Sequence, residues 1–419
     1  MTSAGRLGPS SANTRSAILD MVRSGGTVTR TELAERSGLT PTSITRIVKS
    51  LIEDGLVVEA GFLGSTGGKR SGLLELNTTG RFAVGLSLDA GRLTYVVTDL
   101  AGTVIGRLVS PGIEEAGPGD DVVRIARELG QLLVQLDIAL ESVVGVGVAG
   151  AGLDLGAGAE RLSLTATEWE SFALTKALEP RIGLPVLRDN DAACAALGQY
   201  WAGRIPATQD FATLYMSNGF GLGLMIGGRI ARGSSSNVGE IGHSIIDIDG
   251  PQCWCGARGC LEMLAAPRAV VAAALEDPKL ADLLSLSGDP SRIRPDFDAI
   301  ARAAARGESR SFALIQRSAR YVAAAVLSVV NVLDLDRLVL AGPGFADAGA
   351  IYVREIRKYV TPHARTRGIH PVVVDLADPG LDAAAGGAAT LALQHALTPH
   401  ATAPRWSEVE FDGGASRLA

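Results

Sequence analysis

Cysteine is scarce in this chain: four residues in 419. Four cannot build a disulfide framework for a protein of this length, and the scarcity fits a reducing, cytoplasmic compartment. No run of about 18 apolar residues stands free of charge or glycine, so no membrane span is expected. Residues 1–13 are polar and lack the apolar stretch of a secretion signal. They read as a flexible N-terminus, and residues 398–419 as a flexible tail. What is plentiful is core-forming material. Hydrophobic residues make up 47% of the chain and charged residues 20%, enough for two or three domains.

Charge is spread unevenly. The net value is −6, yet residues 1–81 carry ten Lys/Arg against seven Asp/Glu, which leaves −9 for the remainder. A mildly basic front on an acidic body puts any nucleic-acid contact at the front.

Three of the four cysteines crowd into Cys253-Trp254-Cys255-Gly256-Ala257-Arg258-Gly259-Cys260, with His243 ten residues upstream in Glu240-Ile241-Gly242-His243. Three thiolates and one imidazole are a complete tetrahedral set for zinc. The set leaves no position open for water, so the expected ion is structural, one per chain. Gly256 and Gly259 let the chain double back far enough for the sulfurs to meet. Buried free cysteines are the plain alternative, but these do not cluster within eight residues beside Trp and two Gly. Cys194 is left over as a small buried residue.

Residues 14–80 read as a winged helix-turn-helix. An apolar stripe of Ile18, Leu19 and Val22 marks a first helix, stopped by Gly25-Gly26. A second opens at Thr29 or Arg30, and Ser37-Gly38-Leu39 is a short turn. Thr40 caps the third helix and Pro41 sits at its first position. Ile44, Ile47, Val48 and Leu51 supply its buried face, so Thr42, Thr45, Arg46 and Lys49 face outward. Small hydroxyls and long cations on one exposed face suit a helix entering a major groove. Strands at 56–60 and 73–76 then flank a loop carrying Lys69 and Arg70. That is a wing whose basic tip can reach phosphates. The competing reading is a helical bundle with a solvated charged face. A helix-turn-helix followed by a basic hairpin is more specific than either part.

From Arg81 the texture turns to alternating strands and helices. Strands are expected at 82–88, 93–99, 104–107, 143–148 and 185–188, with a helix over 120–136. Asn190-Asp191 opens another helix running through Tyr200. The plan then repeats, with strands at 211–216, 224–226 and 337–340. Two α/β lobes with a cleft between them follow.

The winged helix, the two lobes, Asn190-Asp191, Glu240-Ile241-Gly242-His243 and the cysteine run closed by Glu262 together resemble the ROK family (repressors, open reading frames and sugar kinases). The resemblance runs from about residue 14 to about residue 397. It implies an α/β fold: a winged head on a two-lobed, actin-like or hexokinase-like body spanning 81–397. It also implies a sugar site at Asn190, Asp191, Glu240, His243 and Glu262. A carboxylate-and-amide site takes paired hydrogen bonds from sugar hydroxyls, and His243 can face metal with one nitrogen and ligand with the other. Asn190-Asp191 alone would be no more than a helix cap.

The kinase members of the family carry D-x-G-G-T-K after the first strand. Here the register gives Ser87-Leu88-Asp89-Ala90-Gly91-Arg92, with Asp89 where glycine is expected. The second phosphate loop reads Ser217-Asn218-Gly219 in place of G-T-G, and Ala341-Gly342-Pro343-Gly344 matches the adenosine side only in part. Phosphoryl transfer depends on neutralising and positioning the phosphates. The expected protein is therefore not an enzyme but a sugar-responsive regulator, most simply a repressor. Its expected partners are operator DNA, a sugar or sugar phosphate and its own copies, as homodimer or homotetramer, with no membrane. A sugar kinase with an added DNA-binding domain, and a regulator controlled by docking of a transport protein, stay open as alternatives.

Overall fold

The computed structural model describes residues 11–62, 72–89, 91–112, 117–150, 173–234 and 236–397. The N-terminal head holds α1 (Ser11–Gly25), α2 (Arg30–Ser37) and α3 (Pro41–Glu53). Its sheet has β1 (Val28–Thr29), β2 (Val57–Phe62) and β3 (Gly72–Leu76) in the order β1-β3-β2. Local chemistry sets the helix boundaries. Thr29 and Glu32 form a reciprocal capping box at the start of α2, and Gly38 ends that helix in the left-handed region at φ 68°. Thr40 accepts from the Ser43 N–H ahead of Pro41. Ile44, Val48 and Leu51 are fully buried. The sequence shows two strands here; the third, β1, pairs Val28 with Leu74 and is too short to display a period.

Among the described residues the body contains two five-stranded sheets built on one plan. In the first lobe β4 (Phe82–Asp89), β5 (Arg92–Asp99), β6 (Val104–Pro111), β7 (Val143–Gly150) and β8 (Val186–Asn190) lie in the order β6-β5-β4-β7-β8. The first three are antiparallel, and β7 and β8 add in parallel. In the second lobe β9 (Phe211–Met216), β10 (Phe220–Ile226), β11 (Arg229–Ile230), β12 (Arg337–Ala341) and β13 (Val373–Leu376) repeat that order and those directions. Helices α4 (Pro118–Gln135) and α5 (Leu174–Ile182) cover the first sheet. The second lobe is packed with α7 (Leu261–Ala265), α8 (Pro267–Leu275), α9 (Pro278–Leu284), α10 (Ile293–Ala305), α11 (Ser309–Leu333) and α12 (Gly349–His363).

Helix α11 is long and apolar enough to cross a membrane by length and composition alone. It carries Arg310, Arg317 and Arg320, and it buries Ile315, Ala319, Val322, Val326 and Val330 in the second lobe's core. Its apolarity is that of a core helix.

Two further helices run through the middle of the molecule. Helix α6 (Asp191–Trp201) follows β8 directly, and α13 (Ala383–Leu397) packs along it and across β4 and β7. The two backbones touch: a Cβ added at Gly387 would lie 1.6 Å from the Cys194 carbonyl oxygen. Cys194 itself is buried.

The head is not walled off from the body. Ile18, Leu19, Val22, Leu33, Ile44 and Leu74 share one buried apolar cluster with Ala83, Val96, Leu100, Trp201, Ala389 and Leu393.

Candidate functional site

Asn190 and Asp191 lie at the junction of β8 and α6. Asn190 has extended backbone and caps the helix, its Oδ1 accepting from the Ala192 and Ala193 N–H groups at 2.9 and 3.2 Å. The cap role foreseen for this pair is therefore real, and it leaves the Asn190 NH2 as the end able to donate to a ligand. Asp191 Oδ1 accepts from the Ala192 N–H at 2.8 Å. Burial pushes the Asp191 carboxyl up to about 6, and the charges of Asp89 and Glu240 press the same way. Burial likewise pushes Glu262 up to about 7, with Glu240 adding to it, although Glu262 accepts from the Phe220 N–H at 3.2 Å. Glu240 in the second lobe is thus close enough to act on both Asp191 in the first lobe and Glu262 in the second. Asp89, on the first lobe's β4, joins them.

A neighbouring ion pair spans the same gap. Arg232, just after β11, grips Asp189 on β8 at 2.9 and 2.7 Å, and the Asp189 side chain is almost fully buried. Sequence gives no sign of this pair, because its members are 43 residues apart and each is unremarkable alone.

The β4–β5 and β9–β10 turns also meet. Ser217 Oγ donates to Asp89 Oδ2 at 3.3 Å, while the Ser217 N–H is taken by the Gly219 carbonyl at 3.2 Å. Asp89 thus spans from the β4–β5 turn to the β9–β10 turn.

His243, Cys253, Cys255 and Cys260 come together, with one ligand atom from each lying within 4.8 Å of all the others. Cys253 Sγ is 3.7 Å from His243 Nδ1, and Cys255 Sγ is 3.6 Å from Cys260 Sγ. Burial pushes the Cys260 thiol up to about 12, and the neighbouring sulfurs of Cys255 and Cys253 add to the push. Burial pushes Cys255 the same way, but hydrogen bonds from the Ala257 N–H and the neighbouring thiols outweigh it and hold Cys255 below the usual thiol range. One sulfur that ionises readily beside two that resist it, with an imidazole in reach, is a donor set that fits a metal ion. The turn depends on Gly259 (φ 67°), where a Cβ would lie 1.4 Å from the Asp247 carbonyl oxygen. Trp254 packs edge-on against the His243 ring at 4.5 Å between centroids. This cysteine turn ties together the segments carrying Glu240 and Glu262.

On the head, Thr42, Thr45, Arg46 and Lys49 are all exposed on α3. Thr45 Oγ1 donates back to the Pro41 carbonyl at 2.9 Å, and Lys49 pairs loosely with Glu53 at 3.6 Å. Lys69 and Arg70 lie outside the described residues.

A winged helix-turn-helix head is joined to a body of two α/β lobes with one strand order, and acidic side chains gather between the lobes. The chain belongs to the ROK family, whose model matches residues 113–395, and a winged helix-turn-helix DNA-binding model matches residues 12–58. It is 27% identical to the DNA-binding transcriptional dual regulator NagC of Escherichia coli K12, over 78% of this chain and 79% of that one. It is 25% identical to the xylose repressor of Caldicellulosiruptor bescii, over 82% and 86%. In structure it is similar to a ROK family transcriptional regulator homologous to the E. coli MLC protein, with a TM-score of 0.71, 22% identity and coverage of 93% and 98%. It is also similar to a ROK glucokinase from Streptomyces griseus solved with glucose and AMPPNP, with a TM-score of 0.61, 26% identity and coverage of 75% and 99%. The winged head and the hexokinase-like body expected from sequence are both present.

Proposed function

We propose that this chain is a sugar-responsive transcriptional repressor of carbohydrate uptake or catabolism genes, acting in the cytoplasm. The observation that carries the reading is the joining of a winged helix-turn-helix head to a body that gathers Asp191, Glu240 and Glu262 between its lobes. Sugar hydroxyls donate to carboxylates, and Asn190 NH2 offers a donor beside them. The xylose repressor among the relatives supports both the direction of control and a sugar effector, and the dual regulator supports control of transcription.

The proposed division of labour is a head over 14–80 and a ligand-binding body over 81–397. Thr42, Thr45, Arg46 and Lys49 would enter the groove, and Lys69 and Arg70 would reach the backbone. Asn190, Asp191, Glu240, His243 and Glu262 would hold the sugar. We read the His243, Cys253, Cys255 and Cys260 cluster as a structural zinc site, one ion per chain. These four residues would hold the ion, which would supply a structural cross-link, and the chain's own role would be to keep the segments bearing Glu240 and Glu262 side by side. Homodimers or homotetramers would present paired heads to a palindromic operator.

The glucokinase likeness raises phosphoryl transfer as a competing activity. Asp89 bonded across to Ser217 supports the regulator reading, because it places a carboxylate between the two turns where phosphates would have to lie. The deciding experiment has three arms: selection of DNA from a random pool, melting-temperature shifts with xylose, glucose and N-acetylglucosamine, free and phosphorylated, and ATP consumption with each. The expected result is a selected sequence, one stabilising and operator-releasing sugar, and no ATP turnover. Sugar-dependent ATP turnover without DNA selection would overturn the reading.

A further inference from the structure

The head's Arg23 is 3% exposed, which is exceptional for a guanidinium. Its Nη1 donates to two backbone carbonyls of the body, those of Tyr200 and Trp201, each at 2.8 Å. Its Nε donates to Asp20 at 2.9 Å, and an ion pair to the same carboxylate measures 2.7 Å. The guanidinium also lies 4.5 Å from the Tyr200 ring centroid and 4.9 Å from that of Trp201. Tyr200 closes the circle by donating its hydroxyl to Asp20 at 3.1 Å, while Trp201 Nε1 is anchored on the Leu100 carbonyl at 3.0 Å.

Tyr200 and Trp201 are the last two residues of α6, the helix that begins at Asp191. The final carbonyls of a helix lack partners within it and carry its negative end. Here a cation from the other domain satisfies them. One helix of eleven residues therefore has its first residue in the ligand cleft and its last in the head's grip. Eleven residues span about 16 Å. The rod is stiff as well as short, because its backbone is pressed against that of α13 at Gly387.

We propose that Arg23 is the positioning residue through which the cleft sets the placement of the DNA-binding head, with α6 as the rod between them. The proposal rests on the sugar-responsive reading above. Ligand drawn onto Asn190 and Asp191 acts on the start of α6, and the far carbonyls carry Arg23 with them. A planar fork that reaches two carbonyls and a carboxylate while stacking on two rings is specific to arginine; a lysine ammonium offers a single point charge.

The test measures how far sugar changes operator affinity. Duplex selected by the wild-type chain from a random pool is titrated with and without the sugar, among xylose, glucose, N-acetylglucosamine and their phosphates, that shifts the wild-type melting temperature. Arg23→Ala is expected to bind that sugar within about threefold of wild type, while the change in operator affinity shrinks by about tenfold, a typical coupling factor. Arg23→Lys should recover melting temperature more than coupling. Where Arg23→Ala does not fold, Tyr200→Phe removes only the hydroxyl bond to Asp20 and should weaken coupling in part. Sugar response equal to wild type in Arg23→Lys and Tyr200→Phe would overturn the proposal, because a residue that merely packs would give that result. A wild-type chain whose operator binding ignores every sugar would overturn the regulator reading itself, and this proposal with it.

Discussion

Asp191 shows what the site costs. Its carboxyl is raised from an ordinary 3.8 to about 6, so the folded chain holds that proton more tightly than the unfolded chain does. The stabilisation from the bound proton is complete below 3.8 and lost as pH rises through about 6. Asp191→Asn should therefore stabilise the ligand-free protein at pH 8 by about 2 kcal/mol. The advantage should fade as pH drops from about 6 toward 3.8. Melting curves across that range check it, and a pH-independent difference would contradict it. The cysteines make a second residue-scale case. On the proposed zinc reading, Cys255→Ser should lower both metal content and sugar affinity, since the ion would hold the segments bearing Glu240 and Glu262 together. Elemental analysis and calorimetric titration read the two effects separately. These residues were legible from sequence because adjacency and short spacings expose them: Asn190 beside Asp191, and three cysteines in one turn. Arg23 and the Asp189–Arg232 pair were not, because they acquire meaning only when distant segments meet. Arg23 alone reads as an ordinary basic residue in the last turn of a helix.

Elements with their own punctuation were legible for the same reason. The Thr29 capping box, Gly38 and Thr40-Pro41 bracket α2 and α3 closely, and strong apolar periods marked most strands of the first lobe. The two-residue strands β1 and β11 exist only through their pairing partners, so no local pattern could announce them. Helix α13 is apolar on nearly every side and lies in the middle of the molecule, where periodicity fades. On the proposed docking of α3, Arg46→Ala should weaken binding to the selected sequence and relax base preference, by about 1–3 kcal/mol where it contacts a base edge. Lys69→Ala should instead weaken binding to all sequences alike and flatten the dependence on salt. Affinities unchanged in both variants, measured from 50 to 200 mM salt on the usual scale for such contacts, would exclude this docking mode.

At the scale of the whole molecule, the two sheets share one strand order, and Asp191 of one half lies near Glu240 of the other. The repeat is half legible: the first lobe announces itself, whereas the second is interrupted between β11 and β12 by the cysteine turn and five described α-helices. The buried cluster running from Leu33 and Ile44 to Trp201 and Leu393 makes a further statement about how the protein melts. Head and first lobe should unfold in one calorimetric transition. Leu33→Ala, which costs about 2–5 kcal/mol in a well-packed core, should lower the temperature of that shared transition and not split off an early one. An early, separate head transition in the scan would refute this.

The same cluster bears on how such proteins can be recombined. A head bounded by its own polar surface could be exchanged between bodies as a cassette, leaving the ligand response intact. This head presents an apolar face and one buried arginine to a matching surface on the body, so its exchange requires a partner bearing the counterpart of Leu100, Trp201 and Leu393. Chimaeras that graft residues 11–80 onto a foreign body should be poorly soluble unless that face travels with them. Descent of this chain would then have kept head and body together as a pair, each constraining which substitutions the other tolerates.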